Sequence, residues 1–211
     1  MAELRNYVEW HRIYDDPDSS MSWRLGVVRS LVSQFLDEHP GAVRILSSCA
    51  GDGRDVLDVL AHRDDASRVS VVLLEIDPVL AARAREAGRL TGADVEVREV
   101  DAGSTDAYQG AVPADLVLLV GIFGNLATAD VERAIAAAPH LCAADGLLVW
   151  SHGRVPHDRN SQVRRWLTAA GFDEEFYAEL DRRSHPSVGM WRLTGRPAPL
   201  EPGRRLFEFV Q

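Results

Sequence analysis

"AVRILSSCAGDGRD", residues 42–55, runs from a short apolar stretch into a loop with Gly51 and Gly53 one residue apart, then into a charged, helix-compatible segment. Strand, glycine loop and helix in that order mark the first unit of an open parallel sheet, whose ligands bind outside the C-terminal ends of the strands. Glycines in such a loop let a ligand approach the backbone closely. The helix that follows is expected to present its N-terminal amides to the same ligand.

Outward from this loop, strands and helices alternate. A helix is expected over 54–63, and a strand over 69–76 (VSVVLLEI). A helix over 78–90 has Pro78 in its first turn, where the missing N–H costs nothing. A strand over 94–100 follows, then a nearly all-apolar strand over 115–121, as a central parallel strand should be. A helix over 129–141, a strand over 146–152 and a helix over 159–171, ended by Gly171, complete the series. This pattern predicts an α/β domain with a parallel sheet and helices on both faces. The tail changes character: FDEEFYAEL, SVGMWRLTG and RRLFEFV read as strands joined by loops, an antiparallel edge whose order stays open. Upstream, residues 3–14 and 21–38 read as two helices. Pro17 breaks the first, and Ser19 or Ser20 caps the second. Residues 1–41 are therefore expected to form a helical lid over the strand ends, and 42–211 the ligand-binding domain.

Composition narrows the function classes. The 211 residues are 46% apolar and 26% charged, ordinary for a globular domain. No apolar run nears the roughly 20 residues that span a bilayer, and MAELRNYVEWHR has charges where a signal peptide needs an apolar core. No membrane partner is expected. Cys49 and Cys142 have no metal-like spacing and read as reduced thiols of a cytoplasmic protein. The net charge of −9 repels a phosphate backbone, so nucleic acid is not an expected partner. The locally basic DRNSQVRRW and GRPAPLEPGRRLF read as a solvated helix face and a loop.

The loop chemistry selects among ligands. A dinucleotide fingerprint needs a third glycine where Val56 stands. A phosphate-binding P-loop needs Lys and then Ser or Thr where Arg54 and Asp55 stand. Glu75, closing the second strand, lies 22 residues after Gly53, near the roughly 20 expected of an acid on ribose hydroxyls. Its carboxylate can accept both hydrogen bonds of a vicinal diol. Asp101 and Ala102 follow the third strand, where a carboxylate can accept from an adenine amino group and the next N–H can donate to a ring nitrogen.

These three sites, in this order, resemble the class I S-adenosylmethionine-dependent methyltransferases over residues 43–175. ILSSCAGDG is similar to their first motif, with Gly51 and Gly53 on its last two glycines. ADLVLLVGIFGNL resembles their fourth strand and the loop beside the methyl donor, LCAADGLLVWSHGR their fifth strand, and VRRWLTAAGFDEEFY the helix and Gly-Phe step before their sixth. WHRIYDDPDSSMSWRL together with CAGDGRD also resembles a group of uncharacterised actinobacterial methyltransferase-like proteins. The resemblance implies a Rossmann-like, mostly parallel sheet of about seven strands with an antiparallel C-terminal edge. It implies S-adenosyl-L-methionine as cofactor, held by Ser47, Cys49, Ala50, Gly51, Gly53, Glu75, Ile76, Asp101, Ala102, Gly121 and Phe123. Two positions depart from the family: Ser47 stands where its first motif has an acid, and Cys49 where it has a glycine. Asp52, Asp55 or the YDDPD segment could supply the missing negative charge, and Cys49 must point away from a ligand.

The chemistry implied is methyl transfer to a small-molecule acceptor, with secondary metabolism as a setting. Aligning the acceptor and excluding water does most of this work, and a general base helps an amine or hydroxyl acceptor. The candidates are His11, Tyr14 and His152. Trp10, Tyr14 and Phe123 could wall the acceptor pocket, and Arg12 or Arg24 could meet the cofactor's carboxylate. His152, His157 and His185 match no metal-ligand spacing, so no metal is expected. Rival readings are another use of the same cofactor by internal displacement, a non-catalytic binding module, and an NAD-dependent oxidoreductase, which Val56 disfavours. A homodimer stays open.

Overall fold

A computed structural model of the chain describes residues 13–14, 16–153, 158–180 and 186–210. Seven strands make one sheet: β1 (Val43–Ser48), β2 (Val69–Glu75), β3 (Asp94–Glu99), β4 (Ala114–Leu119), β5 (Cys142–Gly153), β6 (Phe172–Glu179) and β7 (Pro186–Leu193). Their order is β3-β2-β1-β4-β5-β7-β6. The first five pair in parallel. β7 runs antiparallel to both β5 and β6, so it alone is reversed, one place in from the edge. A short connection between β6 and β7 requires this, since only antiparallel neighbours can be joined without a crossover. This is a mixed, Rossmann-like sheet with helices on both faces.

The third tail segment departs from expectation. RRLFEFV is not a strand of the sheet; it makes only isolated bridges, Ser104 to Arg205 and Leu126 to Phe209. Leu206 and Phe207 are both buried. Adjacent buried residues do not fit a strand whose successive side chains point to opposite faces. The segment instead crosses the loops after β3 and β4.

Helices α1 (Ser20–Glu38), α2 (Leu57–Leu60) and α3 (Pro78–Gly88) cover one face, and α4 (Thr128–Ala137) and α5 (Asn160–Ala169) the other. Ser19 caps α1 by accepting from Ser22 N–H. The stripe Val28, Leu31, Val32, Phe35 and Leu36 is buried, at the spacing of one helical face. The second helix expected in the lid thus belongs to a covering layer, packed with Ile45, Val71 and Leu118 of the sheet. The first, over 3–14, lies almost wholly outside the described residues. Asp77 caps α3, accepting from Val79 and Leu80 N–H.

The helix expected over 54–63 shrinks to the single turn of α2. Past Leu60 the bonds tighten to i→i−3, His62 N–H to Val59 carbonyl and Arg63 N–H to Leu60 carbonyl, so the helix does not propagate. No helix of the described residues is long and apolar enough to cross a membrane.

One cross-strand pair shows how tightly the sheet is fitted. Gly189 on β7 opposes Trp150 on β5, and a Cβ at Gly189 would lie 2.6 Å from the indole Nε1. Trp150 is fully buried and stacks near Phe123. Gly189→Ala is therefore expected to cost about 1–3 kcal/mol through overpacking. A thermal melt should show a drop of roughly 2–12 °C for a chain of this size.

Candidate functional site

Three loops meet at the C-terminal edge of β1, β2 and β3. The first leaves β1 through Ser47 and Ser48, both buried. Cys49 takes a left-handed conformation, φ +52°, uncommon for a residue with a Cβ. It packs against the core under α4 and α5, and burial pushes its thiol up, with Glu75 and Asp101 adding to the effect. Cys49 therefore serves as a core residue, not a nucleophile. Ala50 N–H donates to Leu74 carbonyl at 2.9 Å, holding the loop over β2. At Gly53 a Cβ would lie 2.7 Å from both Leu57 and Leu73, so the turn is closed to any larger residue.

Glu75 ties this loop to the next. One carboxylate oxygen accepts from Gly51 N–H at 2.7 Å and the other from Asp77 N–H at 2.8 Å. The residue is buried, yet each oxygen keeps a second lone pair. Beside it Ile76 is 65% exposed, an apolar side chain displayed at the mouth of the site. At the third loop, Asp101 accepts from Gly103 N–H at 2.8 Å and from Arg205 at 2.6 Å. Ala102 is buried, and its carbonyl accepts from the Tyr108 hydroxyl at 2.8 Å. That uses the only proton on the phenol, so Ser48 Oγ donates to Tyr108 across their 3.0 Å contact. Tyr108 thus pins the end of β1 to the loop after β3. Nothing in the sequence singled it out, because its buried hydroxyl has meaning only where the two loops meet.

A charged cluster closes the other side of the glycine loop. Arg24, on the first turns of α1, is only 7% exposed. It donates to the Tyr14 hydroxyl, and Arg54 lies over the Tyr14 ring, 4.7 Å from its centroid. Arg54 is itself held by Asp52 at 2.8 Å. Burial raises the Tyr14 phenol above its ordinary range, against the pull of Arg24, so it keeps its proton at neutral pH. Burial likewise pushes the Asp55 carboxyl up, opposed by Arg24 and Arg29. Arg24 Nε and Asp55 Oδ1 are buried without a hydrogen-bond partner among the described residues. Gly121, at φ +76°, faces Arg24; a Cβ there would lie 3.2 Å from its Nη1. The burial of Arg24 was not legible in the sequence, where helix arginines usually face water.

Gly121 N–H donates to Ser151 Oγ at 2.9 Å, joining the loop after β4 to the end of β5. His152, the next residue, is buried. Neither ring nitrogen has a partner among the described residues. Burial, with Arg159 adding and Asp158 opposing, brings it down to about 4. Its carbonyl accepts from Ser187 Oγ at 3.0 Å. Phe123, in the turn after Gly121, is fully buried against Trp150. His11, Trp10, Arg12, His157 and His185 lie outside the described residues. Among the described residues no group of His, Cys, Asp and Glu is placed to hold a metal ion. A cavity of about 520 Å³ between α1 and β6, lined by Trp23, Val27, Phe176 and Leu180, shares no residue with these loops.

No family model and no curated protein matches the chain. Solved structures share its fold. Magnesium protoporphyrin IX methyltransferase from Synechocystis PCC 6803, with bound SAM, superposes with a TM-score of 0.70 at 14% identity, over 89% of this chain and 91% of that one. The 1,6-didemethyltoxoflavin-N1-methyltransferase of Burkholderia thailandensis, with bound S-adenosylhomocysteine, gives 0.62 at 17% identity, over 90% and 87%. The cyclase SpnF gives 0.57 at 16% identity, over 80% of each chain. The chain therefore has the class I methyltransferase fold, a scaffold that also carries a cyclase.

Proposed function

We propose that the protein binds S-adenosyl-L-methionine at the ends of β1–β4 and transfers its methyl group to a small-molecule acceptor of secondary metabolism. The observation that carries this reading is the Glu75 bridge. It sets a carboxylate with spare lone pairs beside the glycine loop, one strand from Asp101. Structures of the same fold hold SAM and S-adenosylhomocysteine, which supports the choice of ligand.

The residues present fit the cofactor. Its amino-acid end is a zwitterion, and Arg24 Nε and Asp55 Oδ1 are a buried donor and acceptor without hydrogen-bond partners among the described residues. Such groups are costly until something satisfies them. Asp55 replaces the charge that Ser47 does not supply. Glu75 would accept from the ribose hydroxyls and Asp101 from the adenine amino group. Ile76 would cover the base, gaining from burial of its exposed surface. Gly51 and Gly53 leave the backbone open to close approach. When bound, the cofactor supplies a methyl group already activated by its sulfonium. The chain's own part is to align the acceptor and keep water out. His152, its ring held neutral by burial, would accept a hydrogen bond from the acceptor group.

A second reading is a non-methyl-transferring use of the site, favoured by the cyclase SpnF, which has the same fold. Formation of S-adenosylhomocysteine on adding an acceptor separates the two.

The first test is a thermal-shift comparison of S-adenosylhomocysteine, S-adenosylmethionine, NAD and ATP. At a hundredfold excess over its dissociation constant a ligand adds about 2.7 kcal/mol, a rise of roughly 5–10 °C here. The two adenosyl-sulfur compounds should raise the melting temperature and the others should not; a rise with NAD alone would overturn the reading. Arg24→Gln and Asp55→Asn should each weaken S-adenosylhomocysteine binding about tenfold, as loss of a charged hydrogen bond does. Calorimetry reads this directly.

The imidazole of His152 makes a further prediction. Its folded value of about 4 lies below an ordinary unfolded value of about 6.5. The unfolded chain therefore binds the proton first. Stability from the neutral ring is complete above about pH 6.5 and declines as pH falls toward 4. His152→Gln should flatten the melting temperature across that window relative to the parent, while leaving it little changed in slope above pH 7.

A further inference from the structure

The C-terminal segment, read from sequence as one more strand, does something else in the fold. From Gly203 to Val210 it runs across the two loops that frame the adenine end of the proposed site. Gly203 N–H donates to Asp106 Oδ1 at 2.9 Å. Thr105 N–H donates to Arg204 carbonyl at 3.0 Å, and Leu206 N–H to Gly103 carbonyl at 2.8 Å. Farther on, Val210 N–H donates to Asn125 carbonyl at 2.8 Å, in the loop after β4. Leu206 and Phe207 sink into the core between these anchors, and Phe207 stacks on Phe209.

The closest approach falls at the adenine loop. A Cβ at Gly103 would lie 2.4 Å from Phe207 carbonyl and 3.0 Å from both the Arg205 guanidinium carbon and Asp101 Oδ1. Gly103 is thus the residue that lets the segment, Asp101 and Arg205 come together. Arg205 Nη1 then reaches Asp101 Oδ2 at 2.6 Å, while Gly103 N–H holds Oδ1 at 2.8 Å. Both oxygens are fixed, and each keeps a lone pair for a further donor. Arg205 also lies 3.4 Å from Glu208, and Asp130 adds to the negative charge around it.

We infer that the C-terminal segment is a strap for the adenine loop, and that Arg205 is a positioning residue that aims the Asp101 carboxylate at the amino group of the bound base. The inference rests on the cofactor reading above. Arg205 touches Asp101, not the ligand. Its role is to hold one carboxylate orientation, so that the energy of ordering Asp101 is not charged against binding. Selectivity for adenine over a base with an oxygen at the same position then depends on a residue more than one hundred positions along the chain from the loop it serves.

The test compares S-adenosylhomocysteine with S-inosylhomocysteine, which replaces the adenine amino group by a carbonyl oxygen. Calorimetry of the intact parent chain should show tighter binding of the adenine compound, because Asp101 can only accept. In Arg205→Ala that preference should shrink about fivefold, the size of one modest hydrogen-bond difference. Arg205→Lys should restore part of it, and Glu208→Ala should leave it unchanged. Arg205 and Asp101 are both partly exposed, so Arg205→Ala should melt close to the parent. A preference unchanged in a folded Arg205→Ala overturns the inference while the cofactor reading stands. Should the parent bind neither compound, the cofactor reading falls and this inference with it.

Discussion

The double hydrogen bond of Glu75 is the constraint on which the site depends. Its carboxylate accepts from Gly51 in the first loop and from Asp77 at the cap of α3. One side chain thereby sets the spacing between the ends of two parallel strands. Gly51 can meet it only because the loop turns through positive φ there, and Gly53 can follow only because no Cβ crowds Leu57 and Leu73. A buried carboxylate is costly without such partners. Two backbone N–H groups offset that cost and leave the acid with capacity to spare.

The rest of the edge is assembled from long-range ties of the same kind. Tyr108 joins the end of β1 to the loop after β3. Ser151 joins the end of β5 to the loop after β4. The C-terminal segment spans the loops after β3 and β4. Each tie satisfies backbone groups that a loop would otherwise leave unpaired. The loops can then be irregular enough to offer lone pairs and apolar surface at their mouths, while the strands behind them stay paired in one sheet.

The departures from the family pattern make sense in this frame. Ser47 and Cys49 are packed at the root of the loop, with Cys49 against the core. Asp55 stands beyond the glycines, where Arg24 and Arg29 oppose the effect of burial on its carboxyl.

Much of the fold was legible in the sequence because its signals are local. The β-branched run of β2, the apolar run of β4, Pro78 and Asp77 at the start of α3 and the buried stripe of α1 each report their own element through period, cap or propensity. That Glu75 and Asp101 stand on neighbouring loops was legible because a parallel sheet places the ends of its strands side by side. What the tertiary structure alone decided is where non-local partners meet. The sequence could not show that Arg24 is buried, that Phe123 turns into the core, that α2 is a single turn, or that RRLFEFV crosses loops instead of extending the sheet. Those outcomes depend on contacts between residues far apart in the chain, and the same side chains would read equally well as solvated, lining or paired until packing chooses among them.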